Sequence, residues 1–396
     1  MAIAKKVKQH MAEGGWIRRM FEEGIALKQK YGAENVFDLS LGNPIMEPPS
    51  RFNEVLHQLV NSPAPGMHRY MPNAGYPETR AAVAAHLAQE TGLPFTAGEI
   101  IMTCGAAGAV NIMLKAISEP GDEIIIFAPF FAEYIYYIDN HEAVPKIVPA
   151  DENFLPDLKA LEAGFTPKTR ALIINSPNNP SGAVYSRDIL NQIGELVRKK
   201  EKEYGREIFL IGDDAYRKLV YDGLDCPYIF DFHPRSAMAI SHSKDLALPG
   251  ERIGYLAVNP GYEGREELMN GLVFCLRVLG FVNAPALMQH AVRSLQDSSV
   301  DIGHYMKQRD FLYNNLVAMG YSIVKPNGTF YIFPKSPLAD DVAFVRALQK
   351  YNVLTVPGSG FGTPGYFRIA YCVDDKVIEG SLPGFRAAAK EFGLRR

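Results

Sequence analysis

The chain has 396 residues, of which 47% are hydrophobic and 21% are charged, and its formal net charge is −3. These values are ordinary for a folded globular protein, and the length corresponds to two or three average domains. A slightly acidic balance argues against a nucleic-acid partner, because such proteins normally carry a basic excess.

The four cysteines, Cys104, Cys226, Cys275 and Cys372, lie far apart and form no CxxC pair. This pattern favours reduced thiols in a cytoplasmic protein over a disulfide framework or a metal site. The most apolar stretch, residues 123–138, is too short for a transmembrane helix and contains proline and glutamate, and the N-terminus lacks a signal-peptide apolar run. We therefore expect no membrane association.

Strand-like and helix-like segments alternate from about residue 80 to residue 260. Helices are predicted at 77–92, directly after 103 and at 186–205, and short β-branched strands at 99–103, 123–128, 146–150, 171–175, 207–214, 237–243 and 252–258. Continuous apolar strands separated by helices predict an α/β fold, with a mostly parallel sheet and helices on both faces.

The C-terminal part has a different pattern. Residues 320–335 resemble two strands around Pro326-Asn327-Gly328, followed by a helix-like segment and the strand-like 365–372. This predicts a smaller α+β domain. We expect a large domain at 49–287 and a small domain formed by 1–48 and 288–396.

In an open α/β sheet, ligands bind at the carboxyl ends of the strands, so the polar residues that follow each strand are candidates for a site. Gly105, Ala106 and Ala107 open a helix, where backbone N–H groups can bind a phosphate. Close packing at the start of the helix explains these small residues equally well. An aromatic residue in "PFFAEY" could cover a planar ring, or it could belong to the core.

Two further strand ends carry charged residues. Asp213 follows an apolar strand, either as a helix cap or as a carboxylate that faces a cation. Lys244 follows Ser241 and Ser243, and Arg252 comes eight residues later. Lysine in a low-dielectric cleft near another cation is a nucleophile, and arginine suits a phosphate.

Taken singly, none of these features identifies a site. Together, a phosphate-binding turn, a ring-covering aromatic, Asn179, Asp213, Lys244 and Arg252 describe a site for a phosphorylated pyridine aldehyde. No metal is needed for this set.

The sequence resembles the class I/II aminotransferases, the pyridoxal-phosphate (PLP) enzymes of fold type I that are related to aspartate aminotransferase. "SHSKDLALPGERIGY" resembles the family's lysine motif, "NNPSG" its Asn-Pro-Thr/Ser-Gly element and "DDAY" its Asp-x-x-Tyr element. The matches run in family order from about Leu39 to Arg368. The resemblance implies a seven-stranded sheet, PLP as cofactor, and amino-group transfer between an L-amino acid and a 2-oxo acid by a ping-pong mechanism.

The resemblance also implies roles for individual residues at the cofactor. Lys244 forms the Schiff base and acts as the base, and Asp213 pairs with the pyridine nitrogen. The remaining cofactor contacts are Tyr216 and Asn179 at the phenolic oxygen, Phe131 stacked on the ring, and Gly105, Ala106, Ala107, Ser241, Ser243 and Arg252 around the phosphate.

For the substrate, the resemblance implies that Arg368 binds the α-carboxylate with help from Gly42 and Asn179. Tyr70 matches a tyrosine that reaches the phosphate of the partner subunit, which implies a homodimer with shared sites. Arg18 or Arg19 could lie over the cleft, although a solvated helix face explains them as well.

The sequence differs from aspartate aminotransferases at two points of the substrate and cofactor site. Phe131 stands where aspartate aminotransferases often have tryptophan, and no second arginine for an acidic side chain can be matched. Other reactions on the same cofactor, such as carbon–sulfur β-elimination, decarboxylation or acyl condensation, remain alternatives. A PLP-sensing regulator would need an added DNA-binding domain, and the segment before the first motif is too short for one. A nucleotide-binding protein would give Lys244 no role.

Overall fold

The computed structural model describes residues 2–13 and 15–394, without the side chains of residues 12, 13, 17 and 18. The strands, in chain order, are β1 (Phe37–Asp38), β2 (Ile100–Thr103), β3 (Glu123–Ala128), β4 (Val144–Pro149), β5 (Thr169–Asn175), β6 (Phe209–Asp213), β7 (Ser236–Ser241), β8 (Gly254–Val258), β9 (Tyr331–Ile332), β10 (Val353–Leu354), β11 (Val356–Pro357) and β12 (Phe367–Ala370). The helices are α1 (Lys5–Glu13), α2 (Trp16–Tyr31), α3 (Ser50–Asn61), α4 (Pro77–Thr91), α5 (Gly105–Ile117), α6 (Tyr134–Asp139), α7 (Leu158–Gly164), α8 (Arg187–Tyr204), α9 (His242–Asp245), α10 (Arg265–Val278), α11 (Ala286–Val292), α12 (Ile302–Ala318), α13 (Asp341–Gln349) and α14 (Asp375–Glu391).

Seven strands form the central sheet, in the order β2-β8-β7-β6-β5-β3-β4. Only β8 runs antiparallel to its neighbours in this sheet. The predicted α/β fold, with its mostly parallel seven-stranded sheet, is thus confirmed.

Both faces of the sheet are buried, as the continuous apolar strands predict. Alternate side chains of β3 enter different core clusters: Ile125 and Phe127 pack on one face, whereas Ile124 and Ile126 pack on the other. Successive side chains of a strand point to opposite faces of the sheet, so each face must be buried by its own set of helices. Helices α4 and α8 contribute to the first cluster, and α5 and α10 contribute to the second.

A second region follows the central sheet. It contains the antiparallel sheet β11-β12-β9 and the short parallel pair β1-β10, with α12, α13 and α14 packed nearby. The pairing of β1 with β10 connects the N-terminal segment to the C-terminal part of the chain. The boundaries at 48/49 and 287/288 remain a prediction.

The pair of strands predicted at 320–335 is only half formed. Of its two strands only β9 forms, and the preceding segment packs against another loop: the N–H groups of Asn327 and Gly328 both donate to the Gly182 carbonyl oxygen. Thr329 has a φ of 65°, which interrupts an extended chain just before β9. The alternation of apolar side chains is present in the sequence, but the N–H groups at its centre bond to a loop and not to a neighbouring strand.

The strand predicted at 252–258 begins two residues later. Residues 249–251 form a 3₁₀ turn and Arg252 has a φ of 52°, so the chain becomes extended only at Gly254. Gly254 is required there, because a Cβ would lie 2.2 Å from the Ile240 carbonyl oxygen. This turn brings Arg252 back toward the end of β7.

Candidate active site

The predicted site residues meet in one cavity of about 310 Å³ at the carboxyl ends of the central strands. Asp213 is the last residue of β6, Ser241 is the last residue of β7, and Lys244 lies in α9 just beyond it. The cavity is lined by Leu41, Gly42, Ala106, Ala107, Phe131, Tyr137, Asn175, Asn179, Asp213, Ala215, Tyr216, Ser241, Ser243, Lys244, Pro249, Arg252, Tyr331 and Arg368. Every predicted site residue except Gly105 and Tyr70 is in this set.

One end of the cavity is suited to an anion. Gly105 opens α5 with a φ of 71°, and a Cβ on it would lie 3.2 Å from Arg252 Nη2 and 3.5 Å from Ser241 Oγ. Ser241 Oγ in turn donates to Ser243 Oγ at 2.8 Å. Hydroxyl groups, a guanidinium and the N-terminus of a long helix therefore converge on the space beside Gly105.

The carboxyl group of Asp213 is buried with one oxygen left unpaired. Tyr134 donates to Oδ2 at 2.5 Å, whereas Oδ1 has no partner within the described part of the chain. Burial raises the Asp213 pKa to about 6, against the opposing effect of the Tyr134 hydrogen bond and with a further increase from nearby Asp214. An unpaired buried carboxylate oxygen is costly, so this atom is suited to a cationic partner.

Lys244 lines the same cavity and is partly buried, with few polar partners for its amine. Its Nζ donates to the Gly42 carbonyl oxygen at 2.7 Å and lies 5.3 Å from the centre of the Phe330 ring. Burial lowers the Lys244 pKa to about 8; Cys372 opposes this decrease, and Arg368 and Arg252 add to it. The lowered pKa leaves a larger fraction of this amine unprotonated near neutral pH than in an ordinary lysine, as a nucleophile or base requires.

Arg368, on β12, is buried beside the same cavity. Its Nη1 donates to Asn179 Oδ1 at 3.1 Å and its Nη2 to the Ser40 carbonyl oxygen at 2.6 Å, while Nε has no partner within the described residues. The guanidinium packs over the rings of Tyr331 and Phe361, at 4.4 Å and 4.8 Å. These contacts fix its orientation, as a site for a carboxylate requires.

Gly42 and Tyr216 are held in place through Tyr331. A Cβ on Gly42 would lie 1.8 Å from the Tyr331 hydroxyl, so only glycine fits there. The hydroxyl groups of Tyr216 and Tyr331 are 3.0 Å apart. Phe131 also lines the cavity, with its ring edge-on to Tyr134 at 5.5 Å.

Tyr70 is the predicted site residue that lies apart from the others. Its exposed fraction is 91%, and it does not line the cavity. Of the two candidate N-terminal arginines, the Arg18 side chain lies outside the described residues, and Arg19 packs its guanidinium over the Trp16 ring at 4.7 Å.

Sequence reasoning missed Tyr134, Tyr137, Asn175 and Tyr331. Tyr134 is the last residue of the quoted stretch "PFFAEY", and Tyr137 follows it three residues later. Asn175 ends β5, where it donates to the Asp213 carbonyl oxygen at 2.9 Å. No local signal pointed to Tyr331, which reaches the site from a different sheet.

Comparison with known proteins identifies the family. A model of aminotransferase class I and II matches residues 34–381. The probable aspartate aminotransferase of Methanocaldococcus jannaschii is 30% identical over 355 residues, which cover 87% of this chain and 91% of that protein. The aspartate/prephenate aminotransferase of Thermus thermophilus is 29% identical over 381 residues, covering 91% and 92%.

Solved structures give the same result. The crystal structure of an aminotransferase from Eubacterium rectale has a TM-score of 0.95 at 39% identity and covers 99% of both chains. Aspartate aminotransferase from Thermus thermophilus with maleate has a TM-score of 0.86 at 26% identity, covering 98% of this chain and 100% of that one. The fold and the cavity thus define an enzyme of the PLP type. The chain belongs to the aminotransferase class I and II family, and it is a PLP-dependent aminotransferase.

The residues present fit PLP. The unpaired Asp213 Oδ1 offers a partner to a protonated ring nitrogen, the space beside Gly105 accepts a phosphate, and Lys244 supplies an amine with a lowered pKa. Within the described residues, no group of three or more histidine, cysteine or acidic side chains is arranged to hold a metal. No helix in the same part of the chain is long and apolar enough to cross a membrane.

Proposed function

We propose that Lys244 is the covalent attachment point of PLP and the base that moves the substrate proton. The observation that carries this assignment is the position of its amine in a cavity shared with Asp213, Arg252 and Arg368. Among the described residues that line the cavity, Lys244 is the only lysine. Its lowered pKa supports the assignment, because a general base works best when its pKa lies near the working pH.

The cofactor is held at its two ends. When bound, PLP supplies the aldehyde that takes up the amino group and the ring that accepts electrons from the substrate. Arg252, Ser241, Ser243 and the backbone N–H groups of Ala106 and Ala107 bind the phosphate. Asp213 keeps the ring nitrogen protonated. The hydrogen bond from Tyr134 supports this role, since it favours the ionised form of the carboxyl group.

The ring itself is held by three further residues. Phe131 covers one face, and Tyr216 and Asn179 donate to the phenolic oxygen. The network from Tyr216 to Tyr331 supports this arrangement, because it restrains the Tyr216 hydroxyl at the cavity wall. Asn179 can donate from Nδ2, since its Oδ1 already accepts from Arg368.

Arg368 binds the substrate α-carboxylate, assisted by the Gly42 backbone and Asn179. With the carboxylate held by this arginine, Lys244 Nζ, which lines the same cavity, would accept the proton from the substrate Cα and donate it again during amino-group transfer. A fixed near-attack geometry of this kind contributes several kcal/mol to catalysis, on the order of 7–11 in the best-oriented systems. The kinetics would be ping-pong, because the first 2-oxo acid leaves while the amino group stays on the enzyme, and the second 2-oxo acid then binds at the same carboxylate site.

We also propose a homodimer with shared sites in the cytoplasm. The exposure of Tyr70, at 91%, supports a role in contacts with a second copy, and Phe274 and Val278 are large apolar side chains that are also half exposed. All four cysteines are free thiols, which supports a reducing compartment. The proposed substrates are an L-amino acid and a 2-oxo acid.

The assignment of Lys244 can be tested by reduction with borohydride and peptide mapping. The PLP-loaded enzyme is reduced, digested and analysed by mass spectrometry, with a Lys159→Ala variant as the matched control because Lys159 is exposed. We expect the PLP adduct on the peptide that contains Lys244, in the wild type and in the control. An adduct on another lysine would contradict the proposal.

A further inference from the structure

A second cavity adjoins the proposed active site. It has a volume of about 520 Å³ and lies between the N-terminal helices, the segment after β3 and the turn at 358–362. Its lining residues are His10, Gly15, Trp16, Phe21, Leu41, Phe130, Ala132, Glu133, Ile135, Tyr136, Ser359, Gly360 and Gly362. We call this space the N-terminal cavity.

The N-terminal cavity borders the active site through one shared residue and through neighbouring segments of the chain. Leu41 lines both cavities, and Phe130 is the chain neighbour of Phe131, which faces the cofactor space. The turn that closes the N-terminal cavity also contains Phe361, whose ring packs under the Arg368 guanidinium and whose carbonyl oxygen accepts from the Phe130 N–H at 3.1 Å. A substrate held by Arg368 would therefore lie close to the wall that separates the two cavities.

The walls of the N-terminal cavity are mainly apolar and aromatic. Trp16, Phe21 and Phe130 supply rings, and Gly360 leaves room that a side chain would fill, since a Cβ there would meet Trp16 at 3.3 Å. Aromatic walls favour a large planar guest, because burying such a side chain removes about 150–250 Å² from water. The volume exceeds what the side chain of aspartate would occupy.

The charged groups of the N-terminal cavity are unfavourable for an acidic side chain. Glu133 lines the cavity and has no ion pair among the described residues, so a second carboxylate beside it would be repelled or would force one of the two groups to stay protonated. Tyr137, which lines the active site, has its pKa raised first by burial and then by the charge of Glu133, so this carboxylate is within electrostatic range of both cavities. The imidazole of His10 is directed to Asp139, with Nε2 3.6 Å from Oδ2.

We propose that the N-terminal cavity is the side-chain subsite for large, uncharged aromatic amino acids, and that Glu133 disfavours acidic donors. This proposal rests on the proposed function, because it assumes that Arg368 binds the α-carboxylate. It narrows the donor from any L-amino acid to one class. It also separates this chain from relatives that are named aspartate aminotransferases.

The test is a donor screen by single turnover. The PLP-loaded enzyme is mixed with tryptophan, phenylalanine, alanine or aspartate, without an acceptor, and conversion to the pyridoxamine form is followed by absorbance. We expect the rate constant per donor concentration to be at least roughly tenfold higher for the aromatic donors than for aspartate, where tenfold corresponds to about 1.4 kcal/mol. Alanine should also be slower than the aromatic donors, since it leaves the N-terminal cavity empty.

Glu133→Gln provides the specific test of the charge, and Glu152→Gln is the matched control because Glu152 is exposed and outside both cavities. We expect Glu133→Gln to raise the rate with aspartate several-fold, with little change for phenylalanine, and Glu152→Gln to leave both rates unchanged. Ala132→Phe, which places a ring in the N-terminal cavity, should slow tryptophan more than alanine.

Binding of unreactive analogues gives a readout that does not depend on turnover. Calorimetry of the PLP-loaded wild type should show tighter binding of indole-3-propionate than of succinate, and Glu133→Gln should reduce that difference. The proposal is overturned if aspartate reacts fastest, or if alanine matches the aromatic donors. If no donor converts the cofactor, the proposed function itself fails, which is a distinct result.

Discussion

Replacing Asp213 by asparagine should stabilise the protein without PLP while it weakens PLP binding. In the folded chain, burial raises the pKa of this carboxyl group from 3.8 to about 6. Between pH 3.8 and about pH 6, the folded state therefore binds more protons than the unfolded state. The free energy of unfolding decreases as the pH rises through this range. The full cost above pH 6 is about 3 kcal/mol, since one pKa unit is equivalent to about 1.36 kcal/mol.

The pH dependence follows from the same pKa values. At about pH 8, the Asp213→Asn variant should exceed the wild type in free energy of unfolding by up to about 3 kcal/mol, and at about pH 5 the difference should fall to roughly half, because the folded wild-type group is then mostly protonated. The asparagine oxygen can still accept from Tyr134. Its amide nitrogen would lie at the unpaired Oδ1 position, so the gain is an upper bound.

The assay is urea denaturation of the apo forms of both proteins, at equal protein concentration and at both pH values. PLP affinity is measured in parallel by titration, and we expect weaker binding by the variant because a neutral amide cannot pair with a protonated ring nitrogen. The reasoning would be refuted if the apo variant were no more stable than the wild type at about pH 8, or if the difference were the same at both pH values.

Three further predictions concern the remaining charged residues and the partner subunit. Arg368→Ala should weaken donor binding roughly 10- to 100-fold with PLP retained, because each hydrogen bond to a charged group contributes about 1.5–3 kcal/mol; Kd values for an unreactive carboxylate measure this. The rate at which apoenzyme recombines with PLP should rise with pH up to about 8, the pKa of Lys244, and then level off. Mixing inactive Lys244→Ala with inactive Tyr70→Ala subunits should restore part of the activity, since a hybrid dimer contains one intact site.

Each of these predictions has a result that would contradict it. Loss of PLP from Arg368→Ala would assign that guanidinium to the cofactor instead of the substrate. A recombination rate that still rises toward pH 10.5, the ordinary lysine value, would mean that the Lys244 amine is not desolvated. A mixture of the two inactive variants that stays inactive would contradict shared sites, provided that sedimentation shows hybrid dimers.

The sheet and the contents of the cavity could be predicted because both depend on local signals. Apolar runs such as 123–128 define strands, and the carboxyl ends of parallel strands meet at one edge. Asp213, Ser241 and Asn179 therefore had to lie near one another once the strands were identified. The motif around Lys244 and Arg252 added the remaining wall of the same cavity.

Other features depend on tertiary contacts that carry no local signal. The hydrogen bond from Tyr134 to Asp213 joins residues 79 positions apart, and Tyr331 meets Tyr216 across 115 positions. The N-terminal cavity is assembled from segments near both ends of the chain, so only the folded structure reveals it. The missing first strand at 320–335 has the same origin, because the N–H groups of Asn327 and Gly328 bond to the distant Gly182 carbonyl oxygen.

The central claim, amino-group transfer that depends on Lys244, is tested most directly by one half-reaction. PLP-loaded wild type and Lys244→Ala are each mixed with the best donor from the screen, without an acceptor, and the 2-oxo acid released is measured together with the cofactor spectrum. The account predicts one equivalent of 2-oxo acid per wild-type site, with matching conversion to the pyridoxamine form, and almost none for Lys244→Ala. Conversion by Lys244→Ala at a rate near that of the wild type would contradict it.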